Sequence, residues 1–94
     1  MKDFQQLMSQ IYLQRDLKRG KERTFMWLVE EVGELSDSML RGDQKQIEEE
    51  ISDVFAWLAS LCNVLNVDLE EVVLKKYNKV CPRCSESPCS CSLQ

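Results

Sequence analysis

Glu31 and Glu34 stand three residues apart, and so do Glu50 and Asp53. Each pair is embedded in apolar sequence: "EEVGELSD" runs from Glu30 to Asp37, and "EEEISDVFAW" from Glu48 to Trp57. An ordinary surface helix sends its acids to water. Like charges one turn apart repel, and lining an interior or cleft strips them of solvation as well. A positive charge should compensate them. On a helix, positions i and i+3 share a face, so two such pairs on adjacent helices would aim four carboxylates at one gap. Oxygen donors of this kind suit Mg²⁺ or Mn²⁺ rather than zinc. The chain has no histidine. Ser/His and Cys/His catalysis are therefore excluded, as is imidazole as a ligand or proton shuttle.

Carboxylates and a divalent ion together could hold a phosphate. A triphosphate carries about four negative charges, which bare carboxylates repel and a bridging Mg²⁺ neutralises. One carboxylate, Glu31 or Glu34, can take the proton of an attacking water. Trp27 lies one turn before Glu31, and Trp57 one turn after Asp53, so both fall on the acid-bearing flank. They could hold a planar base, or simply pack in a core. Lys75, Lys76 or Lys79 could steady a leaving pyrophosphate; equally, they complement a helix C-terminus. Glu48, Glu49, Glu70 and Glu71 read as a solvated face.

The elements that must position these groups follow from apolar periodicity. Phe4, Leu7, Met8, Ile11 and Tyr12 mark an amphipathic helix from about Asp3 to Leu17. A charged break surrounds Gly20, with Thr24 or a residue slightly earlier starting the next helix. Phe25, Leu28, Val29, Val32, Leu35 and Met39 form its stripe. Gly42 is a suitable C′ residue, and Asp43 an N-cap for a third helix running to about Leu65. Asn66–Asp68 is a short break, with Asp68 capping a fourth helix that carries Leu69, Val72, Val73 and Tyr77. Both prolines lie beyond these helices. Short connections imply antiparallel neighbours, so an all-α, antiparallel four-helix bundle is expected over residues 1–80. In that geometry Glu34 and Glu50 sit at similar distances from the turn, facing each other.

From residue 81 to 94 the composition changes. "CPRCSESPCSCSLQ" holds four of the five cysteines. Cys81, Cys84, Cys89 and Cys91 read as a structural zinc site in a reducing compartment, with disulfide or redox use, or no fixed role, as the alternatives. Cys62, on an apolar helical face, reads as a buried small hydrophobe.

The 94 residues suggest one small domain, with apolar area left over for oligomerisation. The net charge is −4, and ten of the sixteen acids fall between Glu22 and Asp53. That argues against a nucleic-acid partner, which wants a basic face. No apolar run approaches the roughly 20 residues of a membrane span. The "MKDFQQLMSQ" start has no signal-peptide core, and a cytoplasmic location is expected.

"WLVEEVGEL" followed by "EEISDVFAWL" is similar to the MazG-like members of the all-α nucleoside triphosphate pyrophosphohydrolases, whose signature is E-x-x-E then E-x-x-D. The resemblance covers roughly Phe4 to Asn78. The stretch "YLQRDLKRGKERTFMWLVEEVGEL" and the CPxC…PCxC ending resemble the short archaeal single-domain members. The resemblance implies a bundle that forms a homodimer or a dimer of dimers. It implies Mg²⁺-dependent hydrolysis of a (deoxy)nucleoside triphosphate to the monophosphate and pyrophosphate, in the removal of unwanted nucleotides. It assigns Glu31, Glu34, Glu50 and Asp53 as metal ligands. Lys76 and Asn78 match a substrate-contacting K-x-N, and Glu30 the extra acid of an E-E-x-x-E form. The rival expectations are a related substrate, phosphoribosyl-ATP or dUTP, and a non-catalytic binding or regulatory module.

Overall fold

Gly20 and Gly42 punctuate the chain. The structure, a computed structural model, describes residues 1–93. The last residue of the expected tail, 94, lies outside the described residues. Four helices follow in order: α1 Lys2–Arg19, α2 Lys21–Arg41, α3 Gln44–Val64 and α4 Leu69–Lys76. No strand occurs among the described residues. A single residue separates α1 from α2. Gly20 sits there at φ 88°, a backbone conformation that side-chain-bearing residues rarely adopt. Gly42 closes α2 in the left-handed conformation, its N–H reaching the Ser38 and Met39 carbonyls at 3.0 and 3.2 Å. Asp43 and Asp68 cap α3 and α4, accepting from the N–H groups of Gln46 and Glu71. Asn66, at φ 56°, ends α3 while Val67 N–H returns to the Cys62 carbonyl at 2.8 Å.

Thr24 does not begin α2. That helix starts at Lys21, because Gly20 already makes the break. Thr24 is fully buried in its interior, and its hydroxyl donates to the Gly20 carbonyl at 2.8 Å.

Helix α3 is central, packing on α2 most extensively and on α1 next, while the short α4 touches mainly α1. Small residues permit close approach of the helices: Ala59 and Ser60 on α3, Thr24 and Ser38 on α2, all buried. Phe4 stacks on Phe55 across the α1–α3 contact, with ring centroids 5.3 Å apart. A polar clamp sets the register of α1. The Gln5 amide donates to Asn63 Oδ1 at 3.0 Å and to the Val67 carbonyl at 2.7 Å. It also accepts from Leu69 N–H at 2.9 Å, and Asn63 returns a bond to the Gln5 carbonyl at 3.1 Å.

Much of the α2 stripe finds no cover within the protomer, although Leu28 and Leu35 are partly covered. Phe25 and Val29 are 53% exposed, and Met39 61%. Only α1 and the short α4 are available to pack against the central pair; α1 leans mainly on α3, and α4 on α1. The accessible surface is 7504 Å². A compact monomer of 11.0 kDa is expected to expose about 5,600 Å². The radius of gyration, 15.7 Å, likewise exceeds the roughly 12 Å of a compact domain of this length. No helix of the described residues is long and apolar enough to cross a membrane.

Candidate active site

Glu31 projects from α2, and Glu50 and Asp53 from α3, the two helices that pack most closely. One carboxylate oxygen from each lies within 4.8 Å of the others. Glu50 is buried, and its Oε2 has no hydrogen-bond partner. Such an orphaned buried oxygen destabilises a fold unless something satisfies it. Glu31 is half-buried and Asp53 exposed, so the trio runs from the interior to solvent. Burial, a hydrogen bond with Glu50 and the charges of Asp53, Glu50 and Glu34 push the Glu31 carboxyl up from 4.5 to about 7. The crowding thus disfavours the charged form of Glu31, in the place where a divalent cation would balance the charge. The donor set is all oxygen and the crowding is relieved by positive charge, so the residues fit Mg²⁺ or Mn²⁺.

Glu34 lies outside this trio. It is exposed, yet its charge helps to raise Glu31. With Glu30 it lines an open hollow along α2, beside Phe25, Met26 and Val29. Trp27 and Trp57 stack on each other, with centroids 6.0 Å apart and planes at 17°. Lys76 and Asn78 are exposed at and beyond the end of α4. Lys76 lines a hollow with Tyr77, Cys81 and Arg83, not one with the acidic trio.

An ion-pair-and-aromatic assembly beside the trio escaped the sequence reading. Asp16 is 1% exposed and receives Arg19 Nη1 on Oδ1 at 2.6 Å, while its Oδ2 is unpartnered. The Arg19 guanidinium lies over the Trp57 ring, 4.7 Å from its centroid. A cavity of about 200 Å³ opens here, lined by Tyr12, Asp16, Arg19, Trp57 and Asp53, the last shared with the acidic trio. The i, i+3 spacing of Asp16 and Arg19 was the one available signal, in a stretch so charged that it read as a surface break.

The four tail thiols also converge, with all four sulfurs within 4.8 Å of one another. Backbone N–H groups of Cys84 and Arg83 hold the Cys81 thiol below its ordinary value, and those of Ser90 and Glu86 bring Cys84 down to about 6. Cys91 is pushed up to about 12, chiefly by hydrogen bonding with Cys89 and Cys84. Cys62 is buried, and burial raises its thiol.

Residues 19–85 match the family model of the MazG nucleotide pyrophosphohydrolase domain. The matched span holds Glu31, Glu34, Glu50 and Asp53, together with the first two tail cysteines. No curated protein matches the chain.

Proposed function

The chain belongs to the MazG nucleotide pyrophosphohydrolase family, and from that premise we propose that it hydrolyses (deoxy)nucleoside triphosphates to monophosphate and pyrophosphate with Mg²⁺ bound at Glu31, Glu50 and Asp53. The observation that carries this reading is the converging trio, with the orphaned Glu50 oxygen at its base. Bound there, Mg²⁺ supplies charge neutralisation for phosphoryl oxygens and a Lewis acid. Glu31, Glu50 and Asp53 fix the phosphate chain by holding that charge. Glu34, exposed one turn along α2, takes the proton of the water that attacks the α-phosphorus. The bond from that phosphorus to its bridging oxygen breaks, and pyrophosphate leaves.

The cavity shared through Asp53 supports a place for the base. Its volume, about 200 Å³, is below the roughly 300–1,000 Å³ of sites that enclose a whole small ligand. It suits one ring system, with the phosphates left in the acidic gap. Arg19 and Asp16 then offer a donor and an acceptor to the base edge. Asp16 Oδ2 is shielded as it stands, so its side chain must turn to make that contact.

A second copy of this chain covers α2 in the same reading. The surface in excess of a compact monomer is about 1,900 Å². A standard interface takes about 800 Å² from each partner, and obligate homodimers take more. The excess and the exposed Phe25, Val29, Val32 and Met39 together favour a homodimer. Equilibrium sedimentation should return twice the protomer mass, and a monomer at micromolar concentration would refute it.

The test of activity is a panel of canonical and damaged nucleoside triphosphates assayed for pyrophosphate with and without Mg²⁺. Asp53→Asn should lose both ion binding and turnover, whereas Glu34→Gln should bind Mg²⁺ and lose kcat. A panel that yields no pyrophosphate would leave a binding or regulatory module as the better reading.

A further inference from the structure

The four thiols of the tail lie outside the acidic gap, and hydrolysis does not use them. Cys81 Sγ and Cys91 Sγ are 3.8 Å apart, as are Cys84 Sγ and Cys89 Sγ. A disulfide would bring the sulfurs of each pair to about 2.05 Å, and all five cysteines are free. Four sulfurs at the corners of a tetrahedron about 2.3 Å from a central zinc are separated by about 3.8 Å along each edge. Both close pairs therefore have the separation that a tetrathiolate zinc site requires.

The backbone around the sulfurs is arranged in the same sense. Ser90 N–H donates to Cys84 Sγ at 3.4 Å, and Cys91 N–H to Cys89 Sγ at 3.3 Å. Bonds of this kind favour the thiolate and orient it. Ser85 follows the second cysteine at φ 63°, and its N–H reaches the Cys81 carbonyl at 2.8 Å. The turn is tightened by Cys81 N–H on the Glu86 carbonyl at 3.0 Å. The chain thus folds back so that the two halves, Cys81-x-x-Cys84 and Cys89-x-Cys91, meet.

Little else holds the tail. It has no helix or strand among the described residues and buries no large apolar side chain. A segment this short needs a staple, because its own contacts do not offset the entropy of ordering it. Lys76 and Arg83 line the hollow beside Cys81, Cys89 and Cys91. They offset the negative charge that four thiolates keep after neutralising one Zn²⁺.

We propose that Cys81, Cys84, Cys89 and Cys91 bind one Zn²⁺ as a closed tetrathiolate that folds the tail and seats it beside the end of α4. Four protein ligands leave no coordination position for water, so the ion is structural. Binding releases the thiol protons to solvent, with no change of oxidation state.

The full chain, purified under reducing conditions without added chelator, tests this. Mercurial titration with a zinc-sensitive dye should release one equivalent of zinc per chain. Reconstitution with Co²⁺ should give thiolate-to-cobalt charge transfer and the d–d bands of a tetrahedral tetrathiolate. Cys84→Ser combined with Cys89→Ser should remove the zinc, and the tail residues should then lose protection from amide exchange while α3 keeps it. Substoichiometric zinc with no cobalt–thiolate spectrum in the wild-type chain would overturn the proposal. So would a mass lower by four hydrogens, the mark of two disulfides. These readouts do not depend on nucleotide hydrolysis, so either reading can fail alone.

Discussion

Glu50→Gln should make the metal-free protein more stable while abolishing its response to Mg²⁺. Glu50 is buried beside Glu31 with an unsatisfied oxygen, and it contributes to lifting the Glu31 carboxyl from 4.5 to about 7. That displacement corresponds to about 3 kcal/mol, which solvent screening at a half-exposed site lowers to about 1–2 kcal/mol. Burial and the neighbouring acids share in it, so removing the Glu50 charge returns about 1 kcal/mol. In a domain of this size that raises Tm by about 4–8 °C. The pH dependence has a definite sign. Glu31 binds its proton more tightly folded than unfolded, so its contribution is present below about 4.5 and is lost as pH rises through about 7. The variant's advantage should therefore appear at pH 8 and vanish near pH 5. Saturating Mg²⁺, at a hundredfold above Kd, should stabilise the wild type by about 2.7 kcal/mol and the variant hardly at all. Thermal melts at fixed protomer concentration, with and without Mg²⁺, read all of these. A variant that melts below the wild type at pH 8 without metal would refute the account of the trio as strained by its own charge.

Mg²⁺ uptake near pH 7 should expel a proton from Glu31 and tighten as pH rises through about 7. Calorimetry in buffers of different ionisation enthalpy would show this, and Glu31→Gln should lose it. Arg19→Met should cost about 3 kcal/mol in urea unfolding, since it leaves the Asp16 charge buried without its partner. Part of that should return in the Asp16→Asn, Arg19→Met double variant. Gly42→Ala should cost about 1–2 kcal/mol by the same measurement, because φ 70° places a Cβ against the carbonyl.

Local rules were the most legible part of the sequence. Asp43, Asp68 and Gly42 act as caps where their types and positions indicated; of the four acids expected to converge, Glu31, Glu50 and Asp53 come together while Glu34, one turn on from Glu31, stays outside. What periodicity could not convey was what would cover each apolar stripe. Phe25, Val29 and Met39 pattern like core and stay exposed, since a stripe records the need for a cover and not its source. Thr24 was misleading because caps and buried back-bonding threonines look alike in sequence. Gln5 and Asn63 are 58 residues apart, and neither type nor spacing announces their mutual hydrogen bonds. Trp27 and Trp57 were expected on the acid-bearing flank; that they stack on each other is a tertiary fact.

The Gln5–Asn63 clamp locks one seam of the molecule and leaves the other without a lock. With α1 latched to both α3 and the start of α4, sliding it along α3 by one turn would break four hydrogen bonds together. Among the described residues no comparable latch joins α2 to α3; where these helices meet, Glu31, Glu50 and Asp53 bring carboxylates together instead. A slide of α2 along α3 therefore meets no such set of paired bonds, and the freer seam is the one on which the acidic trio sits.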